Sequence, residues 1–287
     1  MVISGDKLIG EYVKHVATNK KSGGANDPKF LVIHYTAGTS FNGDLRVLST
    51  DSAKVSCHLV IGPDGEVGQV GTFRDILWHA GRSRWKGLKG LNKYSIGIEV
   101  TCPGPVEFLE YDQQNRRVFK TWSGHKLVER ISPWSFVEKK HKNGGRKKWW
   151  ATFTIKQNEV LEELIPLLVE KYDLEIVGHD DIAPGRKQDP GPSMRGSLWA
   201  KVRGNEAEVE DEDPIEDAHL QPGDIFRINT PDQTNLNMRR QPNGAIKGSI
   251  PHGYAVEVIQ KSGSWSKIKT PAGYTGWVYT PYLRPNL

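Results

Sequence analysis

Three stretches of the chain are almost continuously apolar over strand length. Phe30–Tyr35 (FLVIHY), Val55–Ile61 (VSCHLVI) and Tyr94–Thr101 (YSIGIEVT) are rich in β-branched residues, the pattern of strands buried on both faces. Each carries one residue foreign to such a run: His34, His58 and Glu99. Gly62-Pro63-Asp64-Gly65 is a turn signal, and Glu66–Val70 returns as a strand, which predicts a hairpin. Glu11–Val16 reads as a short strand, Asn19–Pro28 as a loop, and Leu45–Leu48 as the start of a helix. Thr154-Ile155-Lys156-Gln157 fits a capping box. Val160, Leu161, Leu164, Leu167 and Leu168 then recur at helical spacing to about Tyr172, with Pro166 expected to kink the helix. Leu174–Val177 is a short strand and Met194–Val202 a last helix. Strands and helices alternate, so the class is α/β, with a mixed central β-sheet flanked by helices.

Two regions break this rhythm. Pro103–Phe153 is less regular and holds Trp122, Pro133-Trp134 and a basic stretch. Lys139–Lys148 has six Lys and Arg around Gly144-Gly145, followed by Trp149 and Trp150. It reads as a long excursion with a basic hairpin-like loop, its tryptophans either packed or open to a glycan or nucleic acid. Asn205–His219 carries eight acidic residues and no Lys or Arg, the composition of a flexible connector. Beyond it, Asp224–Asn229, Gly253–Gln260, Trp265–Lys269 and Gly276–Tyr279 are short strands between Gly, Pro and Asn turns. They predict a small all-β barrel of about 65 residues. The division is therefore 1–204, a linker at 205–219, and 220–287.

Composition narrows the classes. The 287 residues are 37% hydrophobic and 25% charged, ordinary for a globular chain of two domains. No run approaches the roughly 18 apolar residues of a membrane helix. The N-terminus lacks a basic start followed by an apolar run, so synthesis without a secretory signal is expected. Cys57 and Cys102 are too few for a disulfide scaffold. The net charge is +5 although the connector is acidic. A basic body suits an anionic polymer, and nucleic acid or bacterial cell wall both qualify on charge alone.

Candidate chemistry gathers in Glu175–Pro192, EIVGHDDIAPGRKQDPGP. Zinc in a hydrolase takes imidazole and carboxylate ligands and keeps one position open. His179 and Asp189 offer two such ligands. Lys187, two residues before Asp189, shares its side of an extended chain and is a cation suited to a developing oxyanion. Taken singly, each residue also has a bland reading: a polar loop, a hydrogen-bonded core His34, a paired Glu99, a structural His58. Trp78-His79-Ala80-Gly81 reads as a cleft wall.

The ordered set FLVIHYTAG, VSCHLVIGPDG, WHAG, YSIGIEV and VGHDDIAPGRKQDPG resembles the type 2 N-acetylmuramoyl-L-alanine amidases, which share their fold with peptidoglycan recognition proteins. The likeness covers roughly Val13–Val202. LNMRRQP, followed by GYAVEVIQKSGSWSKIKTPAGYTGWVYTPYL, resembles bacterial SH3 domains. The resemblance implies a zinc enzyme that hydrolyses the amide between N-acetylmuramic acid and the L-alanine of the stem peptide. It implies His34, His179 and Asp189 as zinc ligands, Glu99 and Lys187 as catalytic residues, and Trp78 and His79 as substrate-binding. Asp180, Asp181 and Arg186 are left to shape the turn. Peptidoglycan is then the partner, without nucleic acid or membrane segment, and a monomer is expected. The expected place of action is the cell wall, after release from the cytoplasm in the manner of an endolysin. Two alternatives are a cytosolic amidase recycling anhydro-muropeptides and a non-catalytic peptidoglycan-binding protein.

Overall fold

The computed structural model describes residues 1–50, 52–194, 196–203, 223, 225–230, 235–251 and 253–285. The chain divides into two compact units, Met1–Glu212 and Asp213–Leu287. The acidic connector expected over 205–219 lies outside the described residues.

The first unit is built on a six-stranded sheet. Its order is Glu175–Gly178, Phe30–Tyr35, Ser95–Val100, Leu59–Ile61, Val67–Val70 and Val13–Val16. The first four strands run parallel, Leu59–Ile61 and Val67–Val70 form the antiparallel hairpin, and Val13–Val16 pairs in parallel at the edge. The sheet is thus mixed, as the interleaved pattern predicts. Side chains alternate between its faces. Leu31, Ile33, Ile96 and Ile98 pack with Leu161, Leu164, Ile165 and Leu168 of the helix Ile155–Tyr172. On the other face, Phe30 and Val32 pack with Ala80, Leu91 and Ile182. A fully buried aliphatic side chain contributes about 1.5–3 kcal/mol, so both faces stabilise the register strongly.

Register decides what the second face offers. Ser95, Gly97 and Glu99 pair with Phe30, Val32 and His34. The three even-numbered and three odd-numbered residues therefore share a face, and His34 and Glu99 stand side by side at its C-terminal end.

The long helix starts where expected. Thr154 Oγ1 accepts from Gln157 N at 3.1 Å, and Gln157 Oε1 accepts from Thr154 N at 2.9 Å. Gln157 Nε2 donates to Thr101 O at 2.7 Å, so the cap also ties the helix to the end of a central strand. The helix continues through Pro166 to Tyr172. The first helix is Phe41–Ser49, capped by Ser40, and the last is Gly196–Arg203.

Three expectations change. The strand expected over Val55–Ile61 begins only at Leu59. His58 diverts the backbone there: its Nδ1 accepts from Gly97 N and its Nε2 donates to Asp75 O, each at 3.0 Å. A hairpin, Val2–Ser4 with Lys7–Ile9, precedes the expected first strand, and its fully buried Leu8 donates its N–H to Gln69 Oε1 at 2.8 Å.

The third change is the largest. The region after Pro103 is a regular antiparallel sheet of five strands. Their order is Lys126–Val128, Arg117–Lys120, Pro105–Tyr111, Gly144–Thr152 and Ser135–His141. Its apolar residues mix aliphatic and aromatic types, with the Phe119 ring in contact with both Phe136 and Trp149. Arg117 lies 4.5 Å from the Trp149 ring. Much of the remainder is exposed Lys, Arg and Glu, which hides the alternation that marks a strand. The basic loop is a true hairpin, turning at His141 and Gly144. Gly144 and Gly145 hold φ of 95° and 101° there, a conformation that favours glycine.

The second unit is a seven-stranded antiparallel sheet. Its order is Ile246–Ile250, Leu236–Arg239, Thr275–Tyr279, Trp265–Lys269, Ala255–Ser262, Ile225–Ile228 and Leu283–Pro285. Phe226, Ile228, Val256, Val258, Ile268 and Val278 fill its core. Trp277 is buried, Tyr274 is 69% exposed, and Trp265, Tyr279 and Tyr282 form a chain of ring contacts.

Candidate metal centre

His34 ends the central strand Phe30–Tyr35, His179 follows the neighbouring strand Glu175–Gly178, and Asp189 closes the loop after it. All three are buried. His34 Nδ1 and His179 Nδ1 lie 2.9 Å apart, and each lies 2.8 Å from Asp189 Oδ2. They are a set of donor atoms close enough to hold one metal ion.

The partners behind the two imidazoles assign their tautomers. Ser95 Oγ donates to Leu91 O at 2.6 Å, so it accepts from His79 Nε2 at 3.2 Å. His79 Nδ1 is then an acceptor and takes the proton of His34 Nε2, 3.1 Å away. Ala80 O, which can only accept, lies 3.2 Å from His179 Nε2, nearer than the donor Arg186 Nη2 at 3.4 Å, which places the His179 proton on Nε2. Both Nδ1 atoms are left with lone pairs, facing each other and a carboxylate oxygen. Three acceptors at that spacing repel unless a cation sits among them. Imidazoles whose far nitrogen donates to protein groups are the usual metal ligands, so the donor set fits zinc in kind and number. Burial, then the nearby His179, lowers the His34 pKa to about 4, which keeps the ring neutral and able to ligate. Burial and the neighbouring His34 and His58 lower His79 as well.

His79 fits this position because of Gly97. A Cβ there would lie 2.5 Å from His79 Nδ1. The N–H groups of His79 and Ala80 both donate to Asn92 Oδ1, at 3.1 and 2.7 Å. His79 lines the cavity, as expected of a substrate residue, but both ring nitrogens are engaged within the protein. It is placed to hold His34. Trp78 also lines the cavity, with its Nε1 donating to Ser22 Oγ at 2.9 Å.

The loop between the ligands is gripped from the inserted sheet. His141 Nδ1 accepts from Asn143 N at 3.1 Å, so its Nε2 donates, to Asp180 Oδ2 at 3.0 Å and Gln188 O at 3.1 Å. Lys142 Nζ reaches Asp180 at 2.9 Å and Asp181 at 2.6 Å. Asp180 N donates to Asp189 O at 2.8 Å, and Arg186 Nη2 donates to Ala80 O and Arg82 O at 3.0 and 2.8 Å. Asp180, Asp181 and Arg186 therefore do shape the loop.

A cavity of about 370 Å³ opens over the cluster. Glu99 and Lys187 line it. Among the described residues, Glu99 Oε2 is buried without a hydrogen-bond partner. Burial, with Asp189 adding and Lys187 opposing, raises the Glu99 pKa well above its ordinary value. Lys187 forms no ion pair among the described residues. Together they place a buried carboxyl and a lysine side chain beside the same metal-ligating triad. Asp44, which no sequence pattern singled out, lines the same wall, accepting from Thr36 Oγ1 at 2.7 Å. Ser95, Gly97 and His141 were likewise unmarked. The first two carry a signal in hindsight, since S-G-E alternates with I-I-V in SIGIEV.

Residues 24–192 match the family model for N-acetylmuramoyl-L-alanine amidase, and residues 234–284 match that for the bacterial SH3 domain. The chain is 30% identical over 201 residues to the N-acetylmuramoyl-L-alanine amidase AmiD of Escherichia coli, covering 66% of this chain and 59% of the relative. It is 28% identical over 153 residues to the 1,6-anhydro-N-acetylmuramyl-L-alanine amidase AmpD of Escherichia coli, covering 52% and 57%. The chain thus spans less than two thirds of the length of these relatives. A solved complex of Escherichia coli AmiD with anhydro-N-acetylmuramic acid-L-Ala-D-γ-Glu-L-Lys is 28% identical. It covers 62% of this chain and 58% of that one, with a TM-score of 0.43.

Proposed function

We propose, since the chain belongs to the N-acetylmuramoyl-L-alanine amidase family, that it is a zinc-dependent peptidoglycan hydrolase. The bond cleaved is the amide between N-acetylmuramic acid and the L-alanine of the stem peptide. The observation that carries this reading is the convergence of His34, His179 and Asp189 under a cavity that also holds Glu99 and Lys187.

His34 Nδ1, His179 Nδ1 and Asp189 Oδ2 would hold the zinc. Zinc bound there would polarise the scissile carbonyl and acidify water. Glu99 takes a proton from the attacking water and delivers it to the leaving amine nitrogen. Its buried position suits this double duty, because a raised pKa brings the carboxyl closer to neutral pH. Lys187 faces the oxygen on which negative charge grows and stabilises it in a site of low dielectric. Trp78 forms a wall against which the substrate rests. His79 and Ser95 keep the Nδ1 lone pair of His34 aimed at the metal position.

We take 1–204 as the catalytic domain, 205–219 as a connector and 220–287 as a wall-binding domain. An enzyme held on its polymer sees a raised substrate concentration. The bacterial SH3 match therefore favours a lytic, endolysin-type enzyme acting at the cell wall over one recycling soluble muropeptides. No helix among the described residues is long and apolar enough to cross a membrane. A non-catalytic wall-binding role is disfavoured by the complete donor set.

The deciding experiment is mass spectrometry of digested sacculi. Free L-alanine amines beside intact muramic acid, lost with chelator and restored with zinc, are expected. Sacculi left untouched while soluble anhydro-muropeptide is cleaved would support recycling. No new amine on either substrate would remove the amidase reading.

A further inference from the structure

One aromatic residue of the inserted sheet has no part in the chemistry described so far. Trp122 is 76% exposed. Isolated exposed apolar side chains are ordinary, so exposure alone argues nothing. Two further observations set this one apart. Its indole Nε1 donates to Ala37 O at 2.8 Å. Ala37 is three residues beyond His34 and lines the cavity over the metal cluster. The only polar atom of the side chain is therefore satisfied by the wall of the active site, while most of the ring stays open.

The turn that carries the ring is pinned. Thr121 is buried, and its N–H donates to His125 O at 2.9 Å. Thr121 Oγ1 accepts from His125 N at 3.0 Å, and Gly124 N donates to Thr121 O at 3.0 Å. Trp122 lies between these bonds, so little ordering entropy is left to lose when something settles on it. The ring makes no stacking contact with another aromatic ring among the described residues.

A flat, rigid, apolar face beside a polar cleft suits a ligand with one apolar face and a polar rim. A pyranose ring has that form: its axial C–H groups make an apolar face and its hydroxyls point outward. The cavity, about 370 Å³, is at the small end of ligand clefts, so a polymer threaded through it must continue over the rim.

We propose that Trp122 is a saccharide platform, on which a sugar ring of the glycan strand stacks just outside the cavity that takes the scissile amide. This rests on the peptidoglycan reading above and adds to it a subsite that prefers glycan chains to single muramyl peptides.

The test uses the full zinc-loaded chain and two soluble substrates. One is muramyl dipeptide. The other is a tetrasaccharide of alternating N-acetylglucosamine and N-acetylmuramic acid bearing stem peptides. In Trp122→Ala the kcat/KM ratio of tetrasaccharide to dipeptide should fall about tenfold, the usual scale for truncating a contacting Trp. The change should lie in KM. Trp122→Phe loses the bond to Ala37 but keeps a ring face, and should retain most of the ratio. An unchanged ratio in Trp122→Ala, or a Trp122→Phe as impaired as the alanine variant, overturns the platform.

A second arm needs no turnover. Tryptophan emission on adding peptide-free tetrasaccharide should shift in the wild type and lose that component in Trp122→Phe. If the wild type cleaves neither these substrates nor sacculi, the amidase reading has failed, and this arm still decides on the platform. An emission change identical in both proteins overturns it.

Discussion

The two histidines aimed at the metal position are held in opposite ways. His34 stands at the end of a strand paired on both sides and is fixed from within, through His79, Ser95 and Leu91 O. His179 opens the short helical turn His179–Ile182 that leads into a loop, and is fixed from without. The inserted hairpin grips that loop through His141 and Lys142, and Arg186 braces it from the other side. A strand buried on both faces positions a side chain with few dedicated bonds, because packing already holds the backbone. A loop has no such support and needs partners for each polar group. The inserted sheet, which follows the strand Ser95–Val100 in the chain, supplies several of them.

The contrast can be broken at several points, in falling order of effect. His34→Ala or His179→Ala should each abolish zinc retention and bring sacculus hydrolysis to background. Metal content by atomic absorption checks the first and turbidity loss the second. If either variant keeps a full equivalent of zinc, the triad is not the metal site.

Glu99→Gln should keep zinc and lower kcat by about 10²–10⁴-fold, the span of a lost acid–base group. It should also change stability in a pH-dependent way. Burial raises the Glu99 pKa in the folded chain, while in the unfolded chain it is about 4.3. The folded state thus holds its proton more tightly. The contribution to stability is full below about pH 4.3 and is lost as pH rises toward the folded value. Glutamine has no such loss. In the metal-free protein the melting temperature of Glu99→Gln should therefore overtake that of the wild type as pH rises, with the gap largest above neutrality. A gap that is constant with pH would show that Glu99 is not buried as an acid.

Lys187→Ala should cost about 10²–10³-fold in kcat, the scale of one lost oxyanion donor, with zinc retained. Loss of metal instead would make Lys187 a brace of the loop.

The last pair probes the contrast itself. Ser95→Ala removes the acceptor behind His79 and should weaken zinc binding about 10–100-fold, read by chelator competition, with little change in loop protection. His141→Ala should destabilise the fold by about 1–3 kcal/mol, as expected when a buried carboxylate loses a partner. It should also speed amide exchange across 179–189. Equal exchange in the two variants would mean that strand and loop are not held separately.

Much of this was legible in the chain. Apolar runs located the central strands, the T-x-x-Q pattern located the long helix, and the ordered motifs named the five residues around the metal position. The Ser-Gly-Glu alternation in SIGIEV was also readable, yet its meaning was not. Only pairing with Phe30–Tyr35 shows that Ser95, Gly97 and Glu99 share the face of His34. The inserted sheet was missed because its strands are polar, twisted by a bulge at Phe108 and Glu110, and held by scattered aromatic contacts.

The sequence by itself determined the local states: which segments are buried, where helices begin, and which residue types are able to ligate a metal. Those follow from hydrophobic period and side-chain chemistry, which act over a few residues. The tertiary structure alone decided the second tier. It set which nitrogen of each imidazole faces the metal position, that His79 supports His34, that a hairpin residue 39 positions away in sequence grips Asp180, and that Trp122 is tied to Ala37. These depend on strand register and on contacts between residues distant in sequence, and no local pattern encodes a distance between two such side chains.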